Sequence, residues 1–177
     1  TYHAVVRGYA PVAESVDYPL KEELDKYTDK KARANKPPQQ AQTGFTRLAT
    51  VELPVEIEGH ATSRYSLVEC APKTGRKHQI RRHLKHSSHP IIGHAQHGRR
   101  RHNRSFKDHL KAGRLLLHAS QLELKHPRTQ NKLHFLAAFD EIFFGLLQRF
   151  DWHQTLTDRL NQTNKSPSFT DIKPKTL

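Results

Sequence analysis

One stretch of the sequence, residues 70–107, limits what this chain can fold into more than any other part. It contains half of the 14 histidines and no Asp or Glu. It also carries eleven cations, which are Lys73, Arg76, Lys77, Arg81, Arg82, Lys85, Arg99, Arg100, Arg101, Arg104 and Lys107. With no acid beside them, these cations supply +11 of the net charge of +13 from about a fifth of the chain. The positive charge is therefore a local cluster and not a general basic character of the chain.

The clustered charge indicates a polyanionic partner. The whole chain has 30 Lys and Arg against 17 Asp and Glu, a net charge of +13, and nucleic acid is the partner that such a cluster fits best. An anionic membrane surface is the second interpretation, but the predicted basic helix offers only Ile80 and Leu84 as an apolar face. We therefore expect nucleic acid and no membrane, with a solvated basic face that binds nothing as the plain alternative.

Composition excludes several classes of protein. Cys70 is the one cysteine, so the chain forms no internal disulfide and is not a secreted disulfide framework. Cys70 also ends a predicted strand, which favours a small core residue over a nucleophile. No apolar run reaches 18 residues and the first residues do not form a signal peptide, so we expect a cytoplasmic protein. The absence of Met predicts a processed product or a fragment of a longer chain.

The pattern of apolar residues predicts an α+β fold with an antiparallel or mixed sheet and flanking helices. Aromatic and β-branched residues predict strands at 2–9, 44–58, 62–70, 115–124 and 133–139. Apolar residues at helical spacing predict helices at 76–86 and 140–152.

The remaining segments predict little core. Residues 14–43 are polar and Pro-rich, and residues 87–108 contain Pro and Gly, so we expect both to be exposed and irregular. Composition divides the chain into a domain at 1–152 and a polar, disordered tail at 153–177.

The histidines suggest a metal site as a further hypothesis. His83, His86 and His89 are spaced by three, which would place the first two on one face of a helix, and His94, His97 and His102 follow them. No Cys, Asp or Glu lies among them to complete a ligand set, and a dication would meet many positive charges. We expect no metal, and histidines that form hydrogen bonds or contact nucleic acid instead.

Residues 74–83 read TGRKHQIRRH, which resembles the TGRxHQIRxH signature of the RluA-type pseudouridine synthase family. Three further motifs match in order: YHAVVRG at 2–8, HPIIG at 89–93, and LHA at 117–119 with HPRT at 126–129. The resemblance covers about residues 1–152, and finer features are similar to the members that act on tRNA.

The resemblance implies a fold, a reaction and a partner. The chain would be the C-terminal part of the pseudouridine synthase fold, with 1–152 as a partial catalytic domain. The family isomerises uridine to pseudouridine in RNA without a cofactor: the N-glycosidic bond breaks, the uracil turns, and a bond to carbon forms. The target base must first leave its stack. The tRNA-acting members imply a uridine in the T-arm stem of tRNA, and no obligate protein partner is evident.

The same motifs imply site residues. Tyr2 matches the family's active-site tyrosine, which would pack on the flipped uracil and could remove the proton from its C5. Arg76 matches the arginine that pairs with the catalytic aspartate and holds it ionised. The residues expected to contact RNA are Lys73, Lys77, His78, Gln79, Arg81, Arg82, Lys85, Arg99, Arg101 and Arg104.

The sequence departs from the family at the catalytic aspartate. The family carries it in an HRLDRxTSG-like segment upstream of the YxAxVxG strand, and none of the 17 acidic residues here has that context. We therefore expect an incomplete, inactive portion of an enzyme. The alternative is a non-catalytic RNA-binding protein that keeps the fold. Two acids of a family loop are also replaced here, by His94 and Arg99.

Overall fold

The computed structural model describes residues 1–22 and 36–163, and its centre is a five-stranded sheet. The strands of the chain are β1 (Tyr2–Arg7), β2 (Ala13–Asp17), β3 (Gln42–Leu53), β4 (Ser63–Pro72), β5 (Leu117–Ala119), β6 (Gln121–Lys125) and β7 (Lys132–Leu136). The sheet order is β2-β3-β4-β1-β5, and β6 and β7 form a separate hairpin. Every strand pair in the described part of the chain is antiparallel, which confirms the predicted fold class.

Helices cover both faces of the sheet. They are α1 (Gln79–His86), α2 (Arg100–Leu110), α3 (Glu141–Arg149) and α4 (His153–Thr163). On one face, Ile80 and Leu84 of α1 pack with Val68 and Cys70 of β4. On the other face, residues of the remaining three helices pack on Leu67 of β4. Because side chains alternate along a strand, β4 supplies both cores from consecutive positions.

Two predictions about regular structure need correction. Residues 87–108 were expected to be irregular, but α2 begins at Arg100 and buries His102 and Phe106 on one side. Two such residues among many cations form only a weak apolar pattern, so the sequence does not indicate this helix. Within the segment expected to be exposed and irregular, Ala13–Asp17 forms edge strand β2, and residues 23–35 lie outside the described part of the chain.

The polar C-terminal segment also differs from the prediction. A disordered tail was expected from His153, but α4 continues the fold to Thr163, and Leu156 is buried in the core beside α3. Arg159 in the same helix bonds to Glu69 of β4. The prediction is wrong for residues 153–163, where one buried leucine and one ion pair stabilise a segment of low apolar content. Residues 164–177 lie outside the described part.

Cys70 is fully buried, as its predicted role in the core requires, and burial raises the pKa of its thiol. Among the described residues, no helix has the length and apolar character needed to cross a membrane.

Candidate active site and basic surface

Tyr2 lies on β1, between two neighbouring strands of the sheet. It stands opposite Cys70 of β4 on one side and Ala119 of β5 on the other. Its side chain is half-buried and packs against the α1-side core. A residue held by two strands has a fixed backbone, so its ring has a fixed place at the sheet surface.

Arg76 lies in the connection between β4 and α1, and it shares a cavity with Tyr2. The cavity has a volume of about 200 Å³. Its lining residues are Tyr2, Pro72, Thr74, Gly75, Arg76, His78, Gln79, Ile80, Arg81 and Leu117. The fold therefore brings together two predicted catalytic residues that are 74 positions apart, and no carboxylate is among these lining residues.

The connection turns sharply into α1 at His78. This residue occupies the N-cap position in a left-handed conformation, with φ of 56° and ψ of 24°. A non-glycine residue in that region is uncommon, and such strain concentrates at functional sites. Arg76, His78 and Arg81 all line the cavity.

Most cations predicted to bind RNA are accessible. Lys73, Lys77, Lys85, Arg99, Arg101 and Arg104 are exposed, while His78, Arg81 and Arg82 are partly buried. Gln79 differs from the prediction, because its side chain is only 4% exposed and its hydrogen bonds go to protein atoms. The amide of Gln79 thus supports the site from within and has no hydrogen-bonding group left over for RNA.

A buried chain of hydrogen bonds anchors α2, which carries Arg101 and Arg104. Arg7 Nε donates to His102 Nε2 at 3.2 Å. The other ring nitrogen of a neutral imidazole then bears the proton, so His102 Nδ1 donates to Tyr65 Oη at 2.8 Å. Burial lowers the pKa of His102, which keeps the ring neutral as this arrangement requires. No local sequence pattern indicates these contacts, since they join β1, β4 and α2.

A second and larger depression of about 430 Å³ lies beside α2, facing the loop between β3 and β4. It has charges of both signs, which are those of Glu56, Glu58, Arg101, Arg104 and Asp108. Because of this mixed charge, the depression is less suited to bind a phosphate backbone than the cavity lined by Arg76 and Arg81.

The histidines that come together are not those whose spacing suggested a metal site. His83 bonds to Thr43 and Tyr18, and His86 stacks on Tyr18. Instead, ring nitrogens of His78, His94 and His97 lie within 4.8 Å of one another and could hold a metal ion.

The orientation of the three rings opposes such a site. The rings of His94 and His97 stack, with centroids 4.8 Å apart and planes at 21°. The nitrogen lone pair of an imidazole lies in the plane of its ring. In two stacked rings these planes are nearly parallel, so the two lone pairs do not converge on one ion. Both nitrogens of His94 also face donors, the amide of His97 at 2.8 Å and Arg81 Nη1 at 3.3 Å.

Comparison with known proteins agrees with these features. Residues 1–86 match the family model described as RNA pseudouridylate synthase. The tRNA pseudouridine synthase C of Vibrio cholerae is 53% identical over 156 residues, which are 88% of this chain and 64% of that protein. The protein of the same name from Salmonella typhi is 52% identical over 157 residues, 89% of this chain and 60% of that protein. The chain thus spans about three fifths of the length of these curated relatives.

A solved structure shows the same fold. The human RNA Pseudouridylate Synthase Domain Containing 1 protein superposes with a TM-score of 0.58 at 18% identity, over 94% of this chain and 66% of that one. At this identity the likeness supports the fold alone. The family model over residues 1–86, the matched motifs and the relatives of about 50% identity make this chain similar in sequence to RNA pseudouridylate synthases.

Proposed function

We propose that this chain is part of an enzyme that isomerises a uridine of tRNA, in the T-arm stem, to pseudouridine. The observation that carries the proposal is that Tyr2, Arg76 and Arg81 line the same cavity. The relatives of about 50% identity are named for tRNA pseudouridine synthesis, which supports tRNA as the substrate class. The T-arm position rests on the sequence resemblance.

In this proposal the flipped uracil enters the cavity and packs on the ring of Tyr2. Flipping costs unstacking energy, which contacts to the displaced nucleotide must offset. The phenol of Tyr2 then lies where it could take the proton from C5 of the base. The guanidinium of Arg76 presents a planar fork, which suits a carboxylate that must stay ionised.

The chain lacks one part of this chemistry. No carboxylate is among the residues that line the cavity, and none of the 17 acidic residues stands in the family's aspartate motif. We propose that the 177-residue chain by itself binds tRNA without turnover, and that an aspartate in an Arg-Leu-Asp-Arg segment completes the site.

The exposed cations supply the tRNA contacts. Lys73 and Lys77 lie in the connection from β4 to α1 and Lys85 lies in α1, while Arg101 and Arg104 lie in α2 and Arg99 just before it. All six are exposed. If about six phosphates are neutralised, affinity falls roughly a thousandfold between 50 and 200 mM salt. Titration of the chain with unmodified tRNA at several salt concentrations measures this slope, and a flat response would count against the basic surface as a tRNA site.

Turnover is tested with two proteins. The 177-residue chain is incubated with tRNA that carries tritium at C5 of uridine, and tritium release is measured; we expect none. The second protein has an aspartate-bearing segment of the Arg-Leu-Asp-Arg type fused before Thr1, and we expect release. Replacing the motif aspartate by asparagine in that fusion is the matched control. Turnover by the chain alone, or none by the folded fusion, would overturn the proposal.

The alternative is a non-catalytic RNA-binding protein, which is favoured by the lack of a carboxylate among the described residues that line the cavity. It predicts tRNA binding by both proteins and turnover by neither. A ribosomal-type basic protein would further bind RNA with no sensitivity to changes at Tyr2 or Arg76.

A further inference from the structure

A buried hydrogen-bond network includes the backbone amide of Arg76. At its centre is the side-chain amide of Gln79, the first residue of α1, which is 4% exposed. Its Oε1 accepts from the hydroxyl of Thr74 at 2.8 Å and from the amide of Arg76 at 3.0 Å. Its Nε2 donates to the carbonyl of Gln42 at 3.0 Å and to Thr43 Oγ1 at 2.9 Å. All four hydrogen bonds that such an amide can form are therefore made.

The partners of Gln79 fix which way its amide faces. His83 Nε2 lies 3.0 Å from the carbonyl of Tyr18, which can only accept, so Nε2 bears the proton. In the neutral ring Nδ1 is then an acceptor, and the hydroxyl of Thr43 donates to it at 2.9 Å. With its proton committed to His83, Thr43 can only accept from Gln79. The amide NH₂ must face β3, and the amide oxygen must face Arg76.

The network also restrains the whole connection from β4 to α1. Thr74 Oγ1 accepts from the amide of Gln42 at 3.0 Å while it donates to Gln79. The amide of Lys73 donates to the carbonyl of Gln42 at 2.9 Å. Further out, Arg76 Nε donates to the carbonyl of Gln40 at 3.1 Å. The backbone and the guanidinium of Arg76 are thus held against one segment, 40–43.

We propose that Gln79 is a positioning residue: oriented by Thr43 and His83, its amide holds residues 74–76 and thereby directs the guanidinium of Arg76 into the cavity. The inference rests on the proposed function for its catalytic consequence. Its structural part does not, because the network exists whether or not the chain modifies RNA. Thr43 is outside the cavity, so it can be changed without removing any group that lines the site.

Two substitutions at Thr43 separate positioning from packing. Thr43→Val keeps the shape and removes the hydroxyl, whereas Thr43→Ser keeps the hydroxyl and removes a methyl group. A role in packing alone predicts that the Ser variant is the more damaged. The positioning role predicts the reverse order. Thr46→Val, the same change on the same strand, is the matched control outside the network.

The first measurement uses the 177-residue chain and amide hydrogen exchange. We expect Thr43→Val to speed exchange of the Arg76 amide by tenfold or more, with the Val68 amide of central strand β4 unchanged. Thr43→Ser and Thr46→Val should leave both amides near the parent values. Equal exchange at Arg76 in all variants, or a larger effect from Ser than from Val, would overturn the proposal. If Thr43→Val does not fold, Thr74→Val, which removes the other hydroxyl bonded to Gln79, is measured in the same way.

The second measurement uses the fusion that carries the aspartate segment. We expect Thr43→Val to lower kcat by ten- to a hundredfold with KM for tRNA within twofold, since a small misplacement of a catalytic group acts mainly on the chemical step. A rise in KM with kcat unchanged would overturn the positioning role. If the parent fusion shows no turnover, the proposed function fails, while the exchange measurement still decides whether the network holds Arg76.

Discussion

Arg159 of α4 donates two hydrogen bonds to the buried carboxylate of Glu69 on β4, from Nη2 at 2.8 Å and from Nε at 3.2 Å. Glu69 is 4% exposed, and the side chain of Arg159 is 23% exposed. Burial favours the neutral acid, but hydrogen bonds and charges from His3 and Arg159 outweigh it and lower the pKa of Glu69 to about 2. Burial also lowers the pKa of His3, so at neutral pH Arg159 is the cation that balances Glu69.

Removing this arginine should detach α4 from the sheet. Arg159→Ala leaves a buried carboxylate without its main partner, and we expect a loss of about 3 kcal/mol in the free energy of unfolding. Urea unfolding at neutral pH measures it. Gln154→Ala, in the same helix, removes an exposed hydrogen bond to Asp158 and should change stability by less than about 0.5 kcal/mol. Equal effects from the two variants would contradict the assignment.

Acid should weaken the fold through the same carboxylate. The pKa of Glu69 is lower in the folded chain than its ordinary value of 4.5, so the folded state binds this proton more weakly than the unfolded state does. The stabilisation is complete above about pH 4.5 and is lost as pH falls toward about 2. We expect the unfolding free energy to fall over this range, and to fall less steeply in Glu69→Gln. Parallel pH profiles for the two proteins would show that another group is responsible.

Strands β1, β3, β4 and β7 and helix α1 could be predicted from the sequence, because each has its own local pattern of apolar residues. The prediction failed where stability comes from distant partners. In α4, Leu156 and Arg159 gain their role from the core and from Glu69, which lies 90 positions away. In α2, Phe106 is one apolar residue among cations.

The candidate site could likewise be predicted only in part. Motif resemblance indicated Tyr2 and Arg76 as candidate catalytic residues. That the two line one cavity follows only from the folded structure, in which β1 pairs with β4 in antiparallel register. The bond between Gln79 and Thr43 joins residues 36 positions apart, and neither local spacing nor composition indicates it.

Two hydrogen-bond donors face the ring of His94, which is more than the ring can accept from. The His97 amide and Arg81 Nη1 both face its ring, yet a neutral imidazole has one acceptor nitrogen and a protonated ring has none. A carboxylate accepts from both. We expect His94→Asp, which restores the residue usual in the family, to raise the unfolding free energy by about 1 kcal/mol. His94→Asn, with one acceptor oxygen, is the control and should gain less. A loss of stability in His94→Asp would contradict this account.

Arg99 occupies the N-cap of α2, with extended backbone angles and no side-chain hydrogen bond to the helix. The first turn contains no acid, so no carboxylate within this turn offsets the positive end of the helix dipole. Arg99→Asp should stabilise the chain by about 1 kcal/mol through capping. It should also weaken tRNA binding and reduce the salt slope by roughly one, because a phosphate contact is lost.

Arg99→Ser separates the two effects of that change. Serine caps a helix without adding a negative charge, so it should keep most of the stability gain with a smaller loss of affinity. Thermal unfolding and tRNA titration of the three proteins measure both quantities. If Arg99→Asp binds tRNA with unchanged affinity and slope, Arg99 is not a phosphate contact.

Tyr2→Phe tests the proposed proton acceptor. The change keeps the ring that packs on the uracil and removes only the hydroxyl, so tRNA affinity should stay within about twofold. If the phenol takes the C5 proton, turnover by the fusion should fall by about a hundredfold or more, since general-base groups contribute factors of this order. Tyr18→Phe, an exposed tyrosine that stacks on His86, is the matched control and should retain activity. Full turnover in Tyr2→Phe would assign the proton transfer to another group, and weakened binding with normal kcat would limit Tyr2 to holding the base.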